Sequence, residues 1–162
     1  VGELAIRTRV LLVDDEASLR ELGTALLESQ GYEVHCAGDG LEGLAALKKL
    51  VPQLIVSDLR MPNMNGFEFL RVVRERFPAV PVIVLSGEFS GRSVPEGVLA
   101  DAFFAKGSYK TAELFQKIVE LLAQLPERVS PARTTHLDLW ARNDRDPMAA
   151  AVPCCARAFR RM

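Results

Sequence analysis

The sequence predicts an open, doubly wound α/β sandwich around a five-stranded parallel sheet. Three observations carry that prediction. Five short runs of aliphatic and β-branched residues, at 9–13, 33–37, 53–57, 81–85 and 102–105, are each bounded by Gly, Pro, Asp or Ser, the usual punctuation of strands. Between them lie longer segments whose apolar residues recur every three or four positions. Several of the strand runs, Val10-Leu11-Leu12-Val13 above all, are almost wholly apolar, as strands are when helices cover both faces of a sheet.

The elements follow in order. The first strand leads into a helix marked by Leu19, Leu22, Leu26 and Leu27, and the second into one marked by Leu41, Leu44 and Leu47. Phe67, Leu70, Val73 and Phe77 mark the third helix. Leu114, Ile118, Leu121 and Leu122 mark the last, which stops near Leu125 and Pro126. The fourth helix is the weak one. Ser90-Gly91-Arg92-Ser93-Val94-Pro95-Glu96-Gly97 holds two glycines and a proline, so a short helix is expected, capped by Ser93 and with Pro95 in its first turn.

Residues 1–8 read as an N-terminal extension and 9–125 as one domain. Beyond Pro126 lysine disappears, and seven arginines stand against Glu127, Asp138, Asp144 and Asp146, a net +3 that leaves −4 for the rest. Residues 126–162 therefore read as an Arg- and Pro-rich tail, largely flexible, in which 135–140, ending at Trp140, is a short element able to dock on the domain. No helix-turn-helix or zinc spacing follows Pro126, so neither an output domain nor direct nucleic-acid binding is expected. The chain's formal charge of −1 adds no argument for a polyanionic partner.

Three cysteines without metal-ligand spacing, Cys36, Cys154 and Cys155, fit a reducing compartment, so the cytoplasm is expected. Cys36 is read as a small core residue, and the adjacent Cys154 and Cys155 as free thiols. No apolar run approaches the ~20 residues of a membrane span.

In an open α/β sheet, ligands bind beyond the carboxyl ends of the strands. The residues that close the strands here are Asp14 and Asp15, Asp58, Ser86 with Gly87, and Lys106. Any one of them alone is an ordinary loop residue or helix cap. As a set they differ: three carboxylates converging from two strands repel one another, and a hard divalent cation such as Mg²⁺ relieves that repulsion through oxygen ligands. Lys106 would meet a phosphate from the other side, and Ser86 would donate a hydrogen bond to it.

These blocks resemble the receiver domains of two-component response regulators. The resemblance rests on Val10 to Glu16, on Leu54-Ile55-Val56-Ser57-Asp58-Leu59-Arg60-Met61-Pro62-Asn63-Met64-Asn65-Gly66, on Pro81 to Gly87 and on Phe103-Phe104-Ala105-Lys106, and it spans residues 9–125. It implies a (βα)5 flavodoxin-like fold in which Asp58 accepts a phosphoryl group from a sensor histidine kinase or phosphotransfer protein. It further implies that Asp15, Asp58 and the backbone carbonyl of Arg60 hold Mg²⁺, with Asp14 acting through a water. Lys106 and Ser86 would bind the phosphoryl group, and Phe103 would be the aromatic whose rotation follows Ser86. The output would pass by protein contacts, to a downstream protein or a separate output part. The family's usual proline after the lysine is replaced by Gly107, so a trans or strained Lys106–Gly107 link is expected.

Two further patterns compete for attention. Gly38-Asp39-Gly40-Leu41-Glu42-Gly43 has dinucleotide-binding spacing, but it follows the second strand rather than the first, and a structural turn is expected. The other is an enzyme reading, a Mg²⁺-dependent aspartyl-phosphate phosphatase on a similar fold. It would need an acid two residues after its nucleophile; Arg60 stands there after Asp58, whereas Glu16 stands there after Asp14. Glu16 otherwise reads as a favourable negative charge at a helix start. Arg60 and Glu88 are placed at the mouth of the pocket, and neither His35 nor His136 reads as a ligand or base.

Overall fold

A computed structural model describes residues 7–91 and 93–125. The tail, with Trp140, His136, Cys154 and Cys155, lies outside the described residues. Five strands, β1 (Arg9–Val13), β2 (Glu33–Ala37), β3 (Leu54–Ser57), β4 (Val82–Ser86) and β5 (Ala102–Ala105), form one parallel sheet in the order β2-β1-β3-β4-β5. Four helices connect or follow them: α1 (Ala17–Ser29), α2 (Gly40–Leu47), α3 (Gly66–Arg76) and α4 (Thr111–Ala123). None is long and apolar enough to cross a membrane.

Alternation along each strand sorts the core into two layers. Leu11, Val13, Ile55 and Val84 face α2 and α3, meeting Leu44, Leu47, Phe69, Leu70 and Val73. Val10, Leu12, Leu54, Val56 and Ile83 face the other way, onto Leu27, Leu114, Ile118 and Leu121 of α1 and α4. Both faces of β1 and β3 are thus buried, which is why their sequence is apolar without a break.

The expected fourth helix does not form. None of the described residues of 87–101, which link β4 to β5, is helical, and the backbone explains why. Gly91 and Gly97 adopt φ of 118° and 82°, in the left-handed region that a right-handed helix cannot contain. The Val98 N–H meets the Pro95 carbonyl at 3.1 Å, closing a turn with Gly97 in its third position, where a positive φ is required. Arg74 of α3 anchors the far end of the link, donating to the carbonyls of Leu99 (3.0 Å) and Val80 (3.2 Å) and to Asp101 Oδ2 (2.5 Å). The architecture is therefore flavodoxin-like with one helix fewer than (βα)5.

Cys36 is also corrected: it is exposed, because β2 is an edge strand with no neighbour on its outer side, and its Sγ lies 3.0 Å from Thr24 Oγ1 of α1. The glycine-rich decoy is structural. Asp39 caps α2, its Oδ1 accepting from the Glu42 N–H at 2.8 Å and its Oδ2 from the Asn63 amide at 2.5 Å. A Cβ on Gly40 would sit 2.8 Å from the Met64 carbonyl, so that glycine lets α2 close on the β3–α3 loop.

Burial alone would raise the Asp39 pKa, but the Glu42 N–H, the Asn63 amide and the Leu41 N–H outweigh it and hold the group below its ordinary value. The stabilisation is present above about pH 3.9, the unfolded value, and is lost as pH falls through the lower folded value. Asp39→Ala is expected to cost about 1–2 kcal/mol in urea denaturation at neutral pH. The deficit of Asp39→Asn relative to wild type should narrow on acidification, and a constant deficit would contradict this account.

Candidate functional site

The chain leaves β1 towards β2 on one side of the sheet and reaches β3 on the other, so the crevice beyond β1 and β3 is the switch point where such sheets bind ligands. Asp14, Asp15 and Asp58 meet there. Each offers a carboxylate oxygen, and the three lie within 4.8 Å of one another, the one such group of His, Cys, Asp or Glu side chains among the described residues. The sheet fixes their main chains: the Asp58 N–H donates to the Val13 carbonyl at 2.8 Å, and the Asp14 N–H to the Ala37 carbonyl at 3.1 Å. Asp14 and Asp58 are 5% and 6% exposed, whereas Asp15 faces solvent.

Buried carboxylates need partners. Lys106, held at the end of β5 by its N–H to the Ser86 carbonyl (3.0 Å), reaches across with Nζ 2.7 Å from Asp14 Oδ2 and 2.6 Å from Asp58 Oδ2. Asp58 Oδ1 accepts from the main-chain N–H groups of Leu59 (2.5 Å) and Arg60 (3.3 Å). Asp14 Oδ1 accepts from the Glu16 N–H at 2.9 Å. Burial by itself would lower the Lys106 pKa; the hydrogen bonds and attraction of Asp14 and Asp58 prevail and hold it above the ordinary lysine value. Its contribution to stability is therefore complete throughout the neutral range and fades only as pH rises through that raised value.

One cation does not balance three carboxylates. The remaining donors are all carboxylate oxygens, the type that hard divalent cations take, so the residues present fit such an ion.

Ser86 ends β4, fully buried, its Oγ accepting from the Glu88 N–H at 3.3 Å. Phe103 is 3% exposed in β5, paired in register with Val84. Arg60 turns its side chain to solvent, Nε 3.9 Å from Glu88 Oε1 across the mouth of the site. Glu16 stays out of the cluster: it stands at the N-cap of α1, and its Oε1 accepts from Ser18 Oγ at 2.9 Å. The Lys106–Gly107 peptide is trans, with Gly107 at φ 79°.

Two neighbours of the site were not foreseen from sequence. Arg20, six residues after Asp14, hydrogen-bonds the Asp14 carbonyl at 2.6 Å and so steadies the acidic loop. Phe89 meets Phe103 edge to face. An arginine one helical turn and a half after the acidic pair was a readable signal; Phe89, just ahead of the expected helix, was not.

Solved structures of similar fold are flavodoxin-like α/β domains. A CheY-like response regulator receiver domain protein from Methanospirillum hungatei has a TM-score of 0.67 and 30% identity, covering 74% of this chain and 96% of that one. Response regulator TrrA from Thermotoga maritima, described in complex with Mg²⁺ and BeF, has a TM-score of 0.64 and 32% identity, covering 70% and 98%. The chain belongs to the response regulator receiver domain family of two-component signalling, whose family model matches residues 10–126. Among curated relatives, the DNA-binding response regulator MtrA of Mycobacterium tuberculosis is 36% identical over 115 residues, 70% of this chain and 50% of that protein. The chain thus spans about half the length of the curated relatives it matches.

Proposed function

We propose that this domain is a phosphorylation-dependent switch in which Asp58 accepts a phosphoryl group from a sensor histidine kinase or phosphotransfer protein. The supporting observation is the setting of the Asp58 carboxylate: buried at the switch point, one oxygen on two N–H groups, the other on Lys106, beside Asp14 and Asp15. In the transfer an Asp58 oxygen forms the new O–P bond as the P–N bond of the phosphohistidine breaks, and the imidazole leaves with that electron pair. Lys106 carries its charge to the phosphoryl oxygens, and the Ser86 hydroxyl donates to one of them. Asp15, Asp58 and the Arg60 carbonyl would hold Mg²⁺, with Asp14 contributing through a water, and the bound ion would supply charge that offsets the phosphoryl group. Phe103, on β5, follows the state of Ser86. The output passes by protein contacts in the cytoplasm, and no direct DNA contact is assigned to this domain.

The test is incubation with a small acyl phosphate with and without Mg²⁺. One phosphorylated aspartate is expected, and chelation of the metal should prevent it; rapid turnover of phosphomonoesters would instead favour a phosphatase. Lys106→Gln should slow labelling about 10²-fold, the scale seen when one preorganised donor to a developing charge is removed. Stopped-flow or gel measurement of the labelling rate checks it, and an unchanged rate would remove Lys106 from the mechanism.

A further inference from the structure

With no helix between β4 and β5, the residues after Ser86 pack instead against α3, and they do so through a row of aromatic rings. Phe89 meets Phe103 edge to face, with centroids 6.2 Å apart and planes at 80°. On its other side Phe89 meets Phe67, at 6.4 Å and 72°. The row begins in the buried core, where Phe103 is 3% exposed, and ends at the surface of α3, where Phe67 is 38% exposed. Aromatic pairs in this geometry hold one another's orientation, so a ring that moves carries its neighbour with it.

The near end of the row is tied to the phosphoryl site. The Glu88 N–H donates to Ser86 Oγ over 3.3 Å, a long bond that exchanges readily for a better one. When the Ser86 hydroxyl turns to a phosphoryl oxygen on Asp58, that N–H loses its acceptor, and the residue that follows it is Phe89. The far end of the link cannot yield in the same way, because Arg74 fastens Leu99 and Asp101 to α3. Phe103 is already buried, so its response to Ser86 is taken up at its edge contact with Phe89.

We infer that Phe89 is a positioning residue that passes the state of the Ser86 hydroxyl to Phe67, making the N-terminal face of α3 the surface that reports phosphorylation. The inference rests on the reading of Asp58 as phosphoacceptor, and the experiment separates the two. Backbone and aromatic NMR spectra of the full chain are recorded before and after addition of Mg²⁺ with beryllofluoride, a stable phosphoryl mimic, and again in Phe89→Leu. In the wild type the resonances of Ser86 and Phe67 should both shift. In Phe89→Leu the Ser86 shift should remain and the Phe67 shift should be lost. A Phe67 shift that survives in Phe89→Leu, or a wild type in which Ser86 shifts and Phe67 does not, overturns the inference.

A Ser86 resonance that ignores the mimic counts against the phosphoacceptor reading. The aromatic route is then judged without ligand. Ser86→Ala deletes the acceptor of the Glu88 N–H, and it should shift Phe67 when Phe89 is present and leave it in place in the Phe89→Leu background. Failure of the first half of that comparison also overturns the route.

Discussion

Asp58→Asn is expected to abolish labelling by an acyl phosphate while leaving the domain folded. The amide keeps an oxygen for the Leu59 and Arg60 N–H groups that now meet Asp58 Oδ1, so the turn after β3 survives. What it loses is the second anionic oxygen, the one that Lys106 meets at 2.6 Å, and with it the nucleophile proposed above. No other carboxylate can stand in: Asp14 shares the same lysine but is held through Oδ1 by the Glu16 N–H, and Asp15 is exposed on the rim. Intact-mass measurement after incubation with acyl phosphate and Mg²⁺ reads the result directly. Labelling that persists in the variant would place the acceptor elsewhere and undo the assignment.

The second large effect is on stability. Gly66 opens α3, and a Cβ there would lie 2.3 Å from the carbonyl oxygen of Asp58 and 2.6 Å from Leu59 Cα. Both are main-chain atoms, so neither can rotate aside. The Gly66 N–H bonds the Leu59 carbonyl at 2.9 Å, which means the helix start is sewn directly to the end of β3. Gly66→Ala must push the two apart, and a cost of about 3 kcal/mol is expected, the upper part of the range for overpacking a tight interior. Urea denaturation measures it. Because the displaced atoms belong to Asp58 and Leu59, acyl-phosphate labelling of the folded variant should fall as well; a variant with native stability would show that the loop relaxes freely.

Much of this was legible in the sequence because the signals were local. Apolar runs ended by turn residues located all five strands to within a residue or so, and the polar residue closing each strand put Asp14, Asp15, Asp58, Ser86 and Lys106 at one rim. The failures share a cause. A short helix from Ser93 was expected because the fold pattern called for one, yet Gly91 and Gly97 take backbone angles that only their immediate surroundings select. Cys36 looked like core by residue type, but its exposure depends on β2 being an edge, a property of sheet order rather than of residue type. Arg20, Arg74 and Phe89 act over contacts between elements, and no spacing along the chain announces which carbonyl or ring such a side chain will meet.

The Arg74 clamp sets an energetic boundary inside the domain. Among its described residues the link it holds has few main-chain hydrogen bonds of its own, whereas β4 is laddered to β3 on one side and to β5 on the other. The part of the link ahead of that clamp, up to residue 98, can therefore detach in a partial opening that costs far less than global unfolding, while the sheet and its acidic rim stay assembled. Hydrogen exchange would then divide the chain into two tiers, with a single guanidinium governing the upper limit of the faster one. A binding partner that prefers the detached link would draw on that small opening free energy, and a partner that prefers the docked link would add to it.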